Sequence, residues 1–178
     1  MRRITFDIET EGDFNSNGDF SNLEVTVVGV FDSATNELTS YLKEDLPKLW
    51  PLMEQADILV GYNSDHFDIP ILNKYYMGDL SKIKSIDLLK EIKAVLGRRL
   101  KLDSIAEATL GVKKSGHGLQ AVEWWKTGQI QKIIEYCTQD VRVTRDVFQY
   151  GRQNGFVKIQ RSEDAAANPA SQVTVQWN

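Results

Sequence analysis

Apolar and polar residues alternate from Arg3 to Thr10 in a run rich in β-formers, which predicts a strand, and Leu23 to Phe31 predicts a second. A turn-like stretch, Asp32 to Glu37, leads to a third short strand at Leu38 to Leu42, giving a three-strand meander. Between the first two strands, Gly12 to Asn22 is crowded with Gly, Asn, Asp and Ser and reads as a loop. The period then changes. Leu46, Leu49, Trp50 and Met53 recur at helical spacing within Glu44 to Ala56, and Asp57 to Tyr62 reads as a buried strand. A strand that returns through a helix implies a parallel neighbour.

The rest of the chain is mainly helical in pattern: Asp68 to Tyr76, Leu88 to Leu96, Leu102 to Leu110, Leu119 to Lys126, and a long element from Gln129 to Tyr150. That long element carries a mainly apolar stripe at Ile130, Ile133, Ile134, Cys137, Val141, Thr144 and Phe148, which predicts a core-facing surface. Gly155 to Ile159 could form a last short strand. Arg161 to Asn178 is polar and Ala-rich until Val173-Thr-Val-Gln-Trp177, and is expected to be mostly a flexible tail. The expectation is one α/β domain over residues 1–160, a mixed central sheet of a meander plus parallel strands flanked by helices, with a tail over 161–178.

Composition narrows the class. At 178 residues, 42% hydrophobic and 26% charged, the chain matches an ordinary globular domain. No run reaches the roughly 20 apolar residues of a membrane span, and Met-Arg-Arg-Ile4 is not the start of a signal peptide. With a single cysteine, Cys137, no internal disulfide can form; a cytoplasmic protein with Cys137 as a small buried hydrophobe is expected. The net charge of −4 argues against a domain that coats nucleic acid through a broad basic surface. It leaves room for an enzyme on nucleic acid, because cations held by acidic residues change the local balance. The short basic clusters Arg98-Arg99-Leu-Lys101, Lys113-Lys114, and Lys82 with Lys84 read as solvated surface.

The chemistry lies in the acidic residues. Asp7 and Glu9 are two apart on the first strand and share a face, while Ile4, Phe6 and Ile8 take the other. Two adjacent carboxylates inside a sheet are costly to desolvate and repel each other, and a cation between them removes both objections. An exposed edge strand would also tolerate them. Asp68 follows a buried strand in Gly61-Tyr-Asn-Ser-Asp-His-Phe-Asp68-Ile-Pro70, at a helix start where capping is the simpler role. Capping leaves Asn63, Phe67 and Pro70 around it unexplained. Tyr136 and Asp140 lie four apart on the long helix, on one face, with surface ion pairing to Arg142 or Arg145 as the plainer alternative.

Taken in order, Asp7-Ile-Glu9, Asn63 with Phe67-Asp68-Ile-Pro70, and Tyr136 with Asp140 resemble the DEDD exonucleases of the ribonuclease H-like superfamily, in their tyrosine-bearing branch. The pattern is most similar to the proofreading exonuclease domain of B-family DNA polymerases and its stand-alone relatives, over about Ile4 to Tyr150. The histidine branch would carry histidine five before the last aspartate, where this chain has Glu135. The resemblance implies a 3′ to 5′ exonuclease with two Mg²⁺ or Mn²⁺ ions, for which an all-carboxylate site is suited. It implies Asp7 as a bridge between the ions, Glu9 and Asp140 on the nucleophile's side, Asp68 toward the other ion, and Tyr136 orienting the attacking water.

Asn63 and Phe67 are the candidates for holding the terminal nucleotides of a single-stranded 3′ end, by hydrogen bond and by packing, although Phe67 also suits a core. A separate polymerase or helicase is the expected companion, since a polymerase domain does not fit this length. A structure-specific endonuclease of the same fold, and an inactive nucleic-acid-binding module, are the alternatives. His66 and His117 read as loop residues, Lys113 to Gly118 as an interhelical loop, and Trp124-Trp125 as a pair with at least one member in the core.

Overall fold

A computed structural model describes residues 1–12, 19–112, 118–160 and 171–177. Its centre is a five-stranded sheet in the order β3-β2-β1-β4-β5, built from β1 (Arg3–Glu11), β2 (Glu24–Asp32), β3 (Glu37–Leu42), β4 (Ile58–Gly61) and β5 (Ser85–Asp87). The meander β1-β2-β3 is antiparallel, and β4 and β5 continue it in parallel. The sheet predicted from alternation is therefore present, enlarged by β5. That strand has only three residues, too few to show a period of two.

Helices cover both faces: α1 (Leu46–Glu54), α2 (Asp68–Leu72), α3 (Leu88–Leu96), α4 (Leu102–Leu110), α5 (Gly118–Lys126) and α6 (Ile130–Asn154). One core packs Ile4, Phe6 and Ile8 of β1 with Leu46, Leu49 and Met53 of α1 and with Ile69 and Leu72 of α2. The opposite face, which carries Asp7 and Glu9, lies under α6. Gly29 is directly opposite Asp7 in β2, and a Cβ there would come within 2.9 Å of Val141 and 3.1 Å of the Cys137 sulfur. Gly29 is thus what lets α6 lie close against the strand carrying the carboxylates.

The second helix is shorter than the sequence predicts, ending at Leu72 rather than Tyr76. The cause is tertiary. The Asn73 side chain donates to Asp79 (3.0 Å) and accepts from the Leu80 amide (2.9 Å), and the Tyr75 hydroxyl accepts from the Val25 amide (3.2 Å). These bonds turn the chain back onto the sheet.

The flexible tail expected over 161–178 is corrected for its last part, residues 161–170 lying outside the described ones. Ser171–Thr174 (β7) pairs antiparallel with Phe156–Ile159 (β6), and Val173, Val175 and Trp177 are buried with α3, α4 and α6. These three residues follow a period of two, so one side of a very short strand is apolar enough to dock. No helix among the described residues is long and apolar enough to cross a membrane.

Candidate active site

The site forms where β1 outruns β4. Parallel pairing between them stops at Thr5 and Val60, and β4 ends at Gly61, so beyond that point the edge of β1 has no strand beside it among the described residues. The chain leaves β4 in a tight turn: a Cβ on Gly61 would fall 2.4 Å from Ser64, and Asn63 holds a left-handed φ of 67°. The turn returns Asp68 to the open edge, where its Oδ1 accepts the Ile8 amide at 3.2 Å. Asp68 does what the next residue of β4 would have done.

Asp68 is buried, and burial, with the nearby charge of Asp87, pushes its carboxyl pKa up to about 7. A carboxyl whose folded pKa is raised stabilises the fold at low pH, where both states hold the proton, and loses that contribution as pH rises through about 7. The metal-free protein should therefore melt several degrees lower at pH 8 than at pH 5, and Asp68→Asn should flatten that slope. Differential scanning fluorimetry in EDTA checks both, and an unchanged slope in the variant would rule the assignment out.

Asp7 and Glu9 project from β1 toward α6, followed at once by a β-bulge between Glu9 and Thr10 that re-aims the strand end. Their carboxylate oxygens and the Cys137 sulfur lie within 4.8 Å of one another. The Cys137 thiol donates to the Asp7 carbonyl oxygen at 3.3 Å and sits 3.8 Å from Asp7 Oδ2. Burial, then the charges of Asp7, Glu9 and Asp140, hold the thiol well above its ordinary pKa. It stays protonated and acts as a donor locking α6 to β1. Asp140 lies on α6 just under one turn beyond it and is buried. Tyr136, the residue before Cys137, is half-buried and meets Trp124 of α5 edge-on at 6.0 Å.

Of the predicted carboxylates, Asp7 and Glu9 stand side by side with Cys137, while Asp140 lies within electrostatic reach of the same sulfur and Asp68 is bonded to the amide between Asp7 and Glu9. The donor set is oxygen-rich and partly desolvated, which suits a hard divalent cation, and the cost of ionising buried Asp68 is one that such a cation would offset. Asn63 borders a cleft of about 570 Å³, its Oδ1 accepting from Arg99 at 2.9 Å. Phe67 packs against the first core and meets Phe20 edge-on at 5.0 Å, so it is at least partly a core residue.

A family model described as the RNase H superfamily matches residues 4–151. The chain belongs to the RNase H superfamily. The DNA polymerase of Pyrococcus glycovorans is 20% identical to it over 196 aligned positions, taking in 86% of this chain and 25% of the polymerase. The family B DNA polymerase of the hyperthermophilic archaeon Pyrobaculum calidifontis superposes with a TM-score of 0.65 at 19% identity, over 84% of this chain and 24% of the polymerase. At that identity the likeness is one of fold. The chain spans about a quarter of the length of the polymerases it matches.

Within this RNase H-like sheet, three residues escaped the motif reading. Cys137 looked like filler and proves to touch Asp7. Gly29 carried the usual signal of a glycine inside a strand, a close approach by other atoms. Asp87 is buried and gathers the turn before Asp68, accepting from the amides of Asn63 (2.8 Å), Asp65 (3.2 Å) and Lys90 (3.2 Å). Its position just before the apolar Leu88 announces a helix cap; the two bonds to the distant turn have no local signal.

Proposed function

We propose that this RNase H-like chain is a 3′ to 5′ exonuclease, hydrolysing the terminal phosphodiester bond of single-stranded nucleic acid to release nucleoside 5′-monophosphates. What supports this reading is the pairing of Asp7 and Glu9 beside Cys137, with Asp140 close enough to act on the same sulfur and Asp68 bonded to the Ile8 amide between the two acids. In this reading Asp7, Glu9, Asp68 and Asp140 would hold two Mg²⁺ or Mn²⁺ ions. When bound, such ions lower the pKa of a coordinated water and stabilise the departing 3′ oxygen.

The chain's own groups supply position. Cys137 fixes the backbone of Asp7, and the Asp68 bond to Ile8 holds the strand between Asp7 and Glu9 straight where β4 no longer supports it. The Tyr136 hydroxyl orients the attacking water, its ring steadied by Trp124. Asn63 meets the terminal nucleotide at the cleft, and Phe67 packs against its base or sugar. A polymerase or a helicase that leaves single-stranded 3′ ends is the partner this reading implies.

Oligonucleotides labelled at the 3′ or the 5′ terminus, with Mg²⁺ or Mn²⁺, test the reading. The 3′ label should leave as mononucleotide from the first turnover, and Tyr136→Phe should slow kcat by roughly 10²-fold with metal affinity retained. Internal fragments appearing first would instead mark an endonuclease.

A further inference from the structure

The net charge of −4 conceals a local excess of the opposite sign. The cleft bordered by Asn63 also takes in Lys90, Lys93 and Arg99, and a second cleft of about 520 Å³ takes in Lys82, Lys84 and again Lys90. Asp65 and Lys90, an ion pair at 2.6 Å, line both and form the sill between them. Each is large enough for a nucleotide-sized group. The two clefts adjoin across this ion pair as a groove, bordered at one end by Asn63 and by Asp87, whose charge acts on Asp68, and at the other by the turn before β5. Five cations and two carboxylates line it among the described residues.

Both carboxylates are already engaged. Asp87 accepts three backbone amides, and Asp65 is held by Lys90 and by the Ser85 hydroxyl. With Asp87 buried and Asp65 paired to Lys90, what the groove shows to solvent is a positive band of exposed Lys82, Lys84, Lys93 and Arg99. Clusters that look like scattered surface in the sequence, Lys82 with Lys84 and the region of Arg99, become one feature because β5 and α3 bring them to one side of the sheet. At its mouth the exposed His66 ring stands edge-on to Phe20 at 5.4 Å, a ring on which a base can stack.

We propose that this groove is the track for the body of a single-stranded polynucleotide whose 3′ end lies at Asp7, Glu9, Asp68 and Asp140, with Lys82 and Lys84 meeting phosphates several nucleotides upstream. This rests on the exonuclease reading, and it adds where the strand upstream of the 3′ end is held and by which cations. A band of point charges with one anchored guanidinium fits a repeating phosphate backbone, which is recognised by charge and not by sequence.

The test uses the whole chain and the double variant Lys82→Ala/Lys84→Ala, both exposed and outside the carboxylate cluster. Two readouts are needed: kcat/KM on a 3′-labelled dinucleotide and on a twelve-nucleotide single strand with Mg²⁺, and binding of a fluorescein-labelled twelve-mer in EDTA across a NaCl series. The variant should lose roughly tenfold more kcat/KM on the twelve-mer than on the dinucleotide. The slope of log Kd against log salt should shrink by about 1.4, two phosphate contacts on a single strand. Equal losses on both lengths with an unchanged slope would overturn the track while leaving the exonuclease standing. Absent hydrolysis by the unaltered chain, with the slope still reduced in the variant, would uphold the track and remove the exonuclease.

Discussion

Asp7→Asn is expected to lower metal-dependent hydrolysis by at least about 10³-fold while leaving the protein folded. The substitution keeps the size of the side chain and removes only its charge. The Cys137 thiol donates to the Asp7 backbone carbonyl at 3.3 Å, so the lock between α6 and β1 survives. What is lost is one of two adjacent carboxylates, and the charge stabilisation that bound cations give a phosphodiester transition state is several kcal/mol, or roughly three orders of magnitude in rate. Without metal, Asn should be neutral or slightly stabilising, because it ends the repulsion between Asp7 and Glu9. Single-turnover hydrolysis, titration calorimetry with Mn²⁺ and a melting curve in EDTA together decide. Hydrolysis at the unaltered rate would sink the proposed function; a melting point reduced by many degrees would mean that Asp7 is structural.

The placement of Asp7, Glu9, Tyr136 and Asp140 on their elements was legible because it obeys local rules. Alternation put Asp7 and Glu9 on the face opposite Ile4, Phe6 and Ile8, and the structure keeps that division, with the apolar three in one core and the acids under α6. Helical spacing put Tyr136 and Asp140 on α6. What could not be read is what the third dimension supplies. Asp68 looked like a helix cap, yet its carboxylate reaches across to the Ile8 amide, a bond that exists only because β4 ends early. Asp87 is bound to amides more than twenty residues away, and no periodicity encodes that. The basic groove was invisible for the same reason, since its lysines come from separate elements and read singly as solvated surface.

The end of the chain misled through composition, and its correction carries the largest stability effect. Trp177→Ala should cost about 3–5 kcal/mol, the range for removing a buried aromatic, and lower the melting temperature by roughly 10 °C. Trp177 is 2% exposed and stacks on Phe148 at 5.9 Å and 19°. Its seat is cut for it: a Cβ on Gly151 would come within 2.3 Å of the indole, so α6 carries glycine where the ring lies flat against the helix. The indole N–H is buried with no hydrogen-bond partner among the described residues, so Trp177→Phe should cost much less, about 1–2 kcal/mol, since the lost contacts are partly offset by removing an unsatisfied donor. Gly151→Ala should approach the cost of Trp177→Ala by driving the ring out. Trp177 meets α6 at Phe148, more than two turns beyond Asp140, so kcat measured below the melting transition should hardly change. A melting temperature unmoved by Trp177→Ala would return residues 171–177 to the flexible tail that their polar approach suggests; a large fall with kcat intact would establish that the domain closes on its last strand.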